Sequence, residues 1–68
     1  MYILASCCEG NINISKHDTY DSAYALMKGD YDEFIEHCEE QDEHYIDNYM
    51  AYVAYGYYYR CDWRIEEI

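Results

Sequence analysis

Sixty-eight residues are enough for one domain with a small core, since a chain of this size hides only about 60% of the surface that its unfolded form exposes. Aromatic residues make up 19% of the chain, eleven of them tyrosine, which excludes a disordered polyanion, because disordered chains are poor in aromatics. Fifteen Asp and Glu against four Lys and Arg give a formal charge of −11 at pH 7, so phosphate backbones and anionic membranes are disfavoured as direct ligands, and a cation or a basic protein surface is favoured.

The chain opens with "MYILASCC", which carries neither a positive leader region nor a long apolar stretch before a small-residue cleavage site, so no signal peptide is expected. No segment approaches the roughly 18 apolar residues of a membrane-spanning helix, and a cytoplasmic location is expected. Four cysteines in such a protein are more often thiols or metal ligands than disulfides. In a secreted setting the same four allow three pairings.

Residues 2–8 are short and apolar, "EGN" is a turn signal, and Ile12 and Ile14 alternate with asparagine and serine, so a β-hairpin is expected first. The period then changes: Tyr20, Ala23, Tyr24, Met27, Tyr31, Phe34, Ile35 and Cys38 recur at spacings of three and four, which predicts one face of a helix. Asp18 or Thr19 can cap it and Asp21 places negative charge in its first turn. Gly29 costs about 1 kcal/mol relative to alanine inside a helix, and Asp30 with Glu33 can cap a fresh start, so a kink or break is expected near it.

"EEQDEHYIDN" reads as helix end and loop, "YMAYVAYGYYYR" as a tyrosine-rich strand turning near Gly56, and "CDWRIEEI" as a half-buried strand with Cys61, Trp63 and Ile65 on one side. The resulting order is ββαββ, an α+β domain spanning residues 1–68 with an antiparallel-rich sheet and one helix on a single face.

The tract "DYDEFIEHCEEQDE", residues 30–43, holds eight carboxylates, dense enough to define one whole helical face. Steps of about 100° place Met27, Tyr31, Phe34 and Cys38 in one sector and Glu33, Glu36, Glu40 and Glu43 opposite, with Asp32 and Glu39 widening the charged side; together with Asp42 these carboxylates are the candidate partner-binding residues. Neither Lys16 nor Lys28 is spaced to neutralise that stripe by four-residue pairs. Successive carboxylates would lie about 5 Å apart along the axis, comparable with the roughly 3.4 Å of duplex per phosphate, so the helix can occupy a groove built for nucleic acid. The competing reading is a solvated charged face. Tyr52, Tyr55, Tyr57, Tyr58 and Tyr59 exceed what a small core absorbs, and Tyr57 and Tyr58, at an expected turn, are candidate partner anchors, with strand packing as the plainer alternative for Tyr52 and Tyr55.

Cys8, Cys38, His44 and Cys61 form a candidate zinc set, although no CxxC pair occurs and free cysteine is often simply buried. Cys61 approaches Cys7 or Cys8 only if the first and last strands run antiparallel, which requires residues 42–48 to carry the chain back across the sheet. No calcium loop of the D-x-D-x-D-G kind is present, nor a nucleophile motif, a phosphate loop or H-E-x-x-H, and exposed carboxylates lack the desolvation that tunes acid–base pairs, so no enzymatic activity is expected.

"DTYDSAYALM" and "CDWRIEEI" resemble elements of small proteins of Gram-positive bacteria and their phages. In size and acidity the chain resembles phage-encoded anti-CRISPR proteins, several of which imitate nucleic acid and at least one of which carries zinc. The resemblance implies an inhibitor of a bacterial immune nuclease, with Cas9 or another Cas effector as the partner, acting in the host cytoplasm on the basic channels that hold the heteroduplex or read the PAM.

Overall fold

The structure is a computed structural model that describes residues 1–39, 42–55 and 59–68. Strands β1 (Tyr2–Cys8) and β2 (Asn11–His17) form the expected hairpin. Glu9 and Gly10 join them, both at positive φ (52° and 86°), the backbone of a tight turn whose twist matches that of the strands. Helix α1 (Tyr20–Ile35) follows, capped by Thr19, whose Oγ1 accepts from the Ser22 N–H at 3.2 Å. It runs unbroken through Gly29, where the sequence predicts a kink. The docked apolar face outweighs the propensity cost of one glycine.

Three strands follow the helix, β3 (Glu43–Ile46), β4 (Met50–Tyr55) and β5 (Tyr59–Glu67), so the order is ββαβββ and the expected ββαββ undercounts by one. The additional strand, β3, lies in the stretch that the sequence assigns to helix end and loop. It has only four residues, and as an edge strand it tolerates the charge that hides its alternation. All strand pairs are antiparallel, in the order β2-β1-β5-β4-β3. The added strand also sets the parity of the sheet: β5 returns antiparallel to β1 and lies between β1 and β4.

One face of the sheet packs against α1. Leu4, Ala51, Val53, Cys61, Trp63 and Ile65 from the strands meet Ala23, Met27 and Tyr31 from the helix. The three helical residues recur at intervals of four, and the whole predicted face from Tyr20 to Cys38 is buried or half-buried. Trp63 is the centre, with the Phe34 ring 5.7 Å and the Tyr31 ring 6.5 Å from it. The shortest molecular dimension is 14 Å, the thickness of one helix laid on one sheet, so the other sheet face is left open.

Candidate partner-binding surface

The acidic tract begins on the helix but does not stay on it. His37 N–H donates to the Phe34 carbonyl at 3.0 Å and Cys38 N–H to that of Ile35 at 3.1 Å, the tightened bonds of a helix end. Glu39 N–H then donates to Asp42 Oδ2 at 2.8 Å while Asp42 N–H donates to the Glu39 carbonyl at 3.0 Å. Glu33 and Glu36 therefore do not share one helical face with Glu43, which lies in β3. Periodicity alone extrapolates the helix past the point where asparagine-like side-chain bonding by Asp42 competes for the backbone.

Asp32 and Glu33 lie in the last turns of α1, Glu36 at its C-cap, and Glu39 just beyond, all exposed. Asp42 is half-buried. Glu43 sits in β3 on the open side of the sheet, where its charge helps to hold the Arg60 guanidinium protonated, behind the larger effect of the Asp62 hydrogen bonds. Glu40, Tyr57 and Tyr58 lie outside the described residues. One neutralising pair does exist, contrary to the sequence expectation: Lys28 Nζ donates to Asp32 Oδ1 at 2.6 Å, one helical turn apart. Glu33 and Glu36 have no such cation among the described residues, and no basic residue occupies the last turn of α1. The C-terminal pole of a helix is partially negative, so these carboxylates stand where the backbone opposes them.

Of the proposed zinc ligands, the sheet brings two together: Cys8 and Cys61 are direct partners across β1 and β5. Burial pushes the Cys61 thiol up to about 12 and also raises that of Cys8. Cys38 is likewise raised by burial, and its thiol donates to the Phe34 carbonyl at 3.7 Å. His44 Nδ1 is 3.0 Å from the Tyr31 hydroxyl, tying β3 to the helix. Among the described residues no three His, Cys, Asp or Glu side chains converge as metal ligands, so the four are not assembled as one set.

Two features escape sequence reasoning. Ser15 Oγ lies 2.8 Å from His17 Nε2, and His17 Nδ1 lies 2.9 Å from Ser22 Oγ, a chain of contacts that pins the end of β2 to the start of α1. Its only sequence signal is a histidine just ahead of a capping threonine. Tyr20 stacks on Tyr24 and meets the edges of Tyr2 and Tyr49, and its hydroxyl donates to the Asn48 carbonyl. Tyrosine excess is thus absorbed at the N-terminal end of the helix as well as on the strands.

No family model, curated protein or solved structure matches the chain. Among the described residues no helix is long and apolar enough to cross a membrane.

Proposed function

We propose that this chain is a non-enzymatic inhibitor that docks the acidic C-terminal end of its helix on a basic, nucleic-acid-handling surface, in the manner of the anti-CRISPR proteins it resembles, with Cas9 or another Cas effector as the target. The observation that carries the reading is the placement of Glu33 and Glu36, exposed and without a cation at the negative pole of α1 among the described residues. Folding gains nothing from charge at that position, whereas a lysine- and arginine-lined groove does. The acidic surface is shorter than a helix-long stripe, because α1 ends at Ile35 and Glu43 lies in β3, so it fits a basic pocket or channel mouth better than a long duplex track. The zinc alternative is the weaker reading, because among the described residues only Cys8 and Cys61 of its four side chains are brought together.

The test is binding to a purified nuclease of this class, with inhibition of target loading measured alongside. Association should weaken steeply as salt is raised, since complementary charge steers encounter and ions screen it. Glu33→Lys/Glu36→Lys should lower affinity by roughly tenfold or more while the fold is retained. Full inhibition by the double variant, or affinity indifferent to salt, overturns the proposal.

A further inference from the structure

An antiparallel sheet with one solvated face normally sends its apolar residues inward. Strand β2 does the reverse. Asn11, Asn13, Ser15 and His17 are in register with Cys8, Ser6, Leu4 and Tyr2 on the helix side, while Ile12 and Ile14 stand on the open face at 71% and 66% exposure. The strand registers continue this face in rows, Ile12–Cys7–Asp62–Tyr52 and Ile14–Ala5–Arg64–Met50. A groove of about 330 Å³ lies between them, with Cys7, Ile12, Met50 and Arg64 among its walls.

The charges on this face are ordered. Down β5 its open side reads Arg60, Asp62, Arg64, Glu66, alternating positive and negative, with Arg60 paired to Asp62 at 3.1 Å and Arg64 to Glu66 at 2.7 Å. Laid antiparallel on itself, that series sets every cation against an anion: Arg60 on Glu66, and Asp62 on Arg64. The two-fold axis that does so crosses the strands level with Trp63, which is in register with Ser6 of β1 and Ala51 of β4, and through Ser6 with Asn13 of β2. The same rotation sets Ile12 on Ile14, Ala5 on Cys7 and Met50 on Tyr52. Charge pattern and apolar pattern thus share one axis, as an isologous contact requires.

We propose that the open sheet face binds a second copy of this chain about that axis, giving a face-to-face sandwich in which Asp62 of each copy meets Arg64 of the other. Five strands spaced about 4.8 Å, each of about seven residues rising about 3.3 Å, cover roughly 550 Å² per copy and roughly 1,100 Å² for the pair, enough for a specific but concentration-dependent dimer. Each acidic helix lies behind its own sheet, and sheets packed about 10 Å apart hold the two helices well beyond the Debye length of about 8 Å. The dimer leaves the helix ends free and needs no other protein.

Sedimentation equilibrium from about 1 μM to about 1 mM should show the mass rising from that of one chain to twice it. At a concentration where the parent is dimeric, Arg64→Asp and Asp62→Arg should each be monomeric, since each sets like charges opposite one another. An equimolar mixture of the two should recover a dimer, as should the double swap Asp62→Arg/Arg64→Asp by itself. Ile14→Glu should be monomeric and not rescued by the mixture, and far-UV circular dichroism should show all variants folded. A parent that stays monomeric overturns the proposal and assigns the face to a different partner. Single variants that dimerise like the parent, or a mixture that stays monomeric, overturn the axis.

Discussion

Gly29→Ala separates the two accounts of the helix. The sequence places a break there, with Asp30 and Glu33 capping a second start, and an alanine at such a break would strain the turn. The structure has Gly29 within a continuous helix, exposed, without positive φ, and with no atom beyond its adjacent residues and the neighbouring helix backbone within 4 Å of the position that a methyl group would take. The substitution then removes backbone freedom from the unfolded chain and adds no clash, which stabilises by about 1 kcal/mol. For 68 residues the total is about 3–10 kcal/mol, so the gain is a sizeable fraction of it. Urea denaturation followed by circular dichroism should show a higher midpoint with an unchanged slope, and thermal melting should rise by about 4–8 °C. Because Gly29 does not belong to the acidic end, binding to a basic target should not change. A lower midpoint would mean that the chain does break at Gly29 and that the orientation of Glu33 and Glu36 derived from one helix is wrong.

Met27 is fully buried beneath the middle of the same helix, and Met27→Ala should cost about 2–5 kcal/mol, read as a lower urea midpoint by circular dichroism. Alkaline stability should fall: the folded state holds the Cys61 proton up to about 12 against an ordinary 9.0, so this contribution is intact below pH 9 and is lost as pH rises from 9 towards 12. Tyr31, raised chiefly by burial, acts in the same sense. A urea midpoint that does not drop between about pH 7.5 and about pH 10.5 would contradict this burial, and in Cys61→Ala the drop should be smaller.

How much of this was legible in the sequence depended on the reach of the signal. The Glu9–Gly10 hairpin turn, the Thr19 cap and the Cys61–Trp63–Ile65 alternation are local, and each appears where the residues place it. β3 is not local in that sense: Glu43 and Tyr45 face outward and His44 is exposed although it bonds Tyr31, so nothing in four residues distinguishes an edge strand from a loop until β4 is beside it. The acidic face failed for a related reason. A helical wheel assumes that the helix continues, and the 3.6-residue period cannot report that α1 ends at Ile35 or that Asp42 accepts from the Glu39 amide. Ile12 and Ile14 were legible as a strand, but which side they take is a matter of register with β1, and register puts them outward.

Two of the molecule's departures from local rules lie on opposite sides of one sheet, and their separation has a physical consequence. Lys16, Arg60 and Arg64 stand on the open face against Glu43, Asp62 and Glu66, so that face is balanced, and the excess negative charge of the chain belongs to the helix side and the turns. A uniformly acidic domain would repel its own copies from every direction. By concentrating the imbalance around α1, the fold leaves one face on which apolar contact is not opposed by like charge, and it points the uncompensated carboxylates of Glu33 and Glu36 away from that face. The proposed self-association and the proposed capture of a basic partner then draw on different surfaces. Salt weakens the second by masking attraction, whereas on the balanced face it also relieves the residual repulsion between two acidic chains. Capture of a basic partner should therefore fall more steeply with ionic strength than the dimer does, with the same protein in the same buffer.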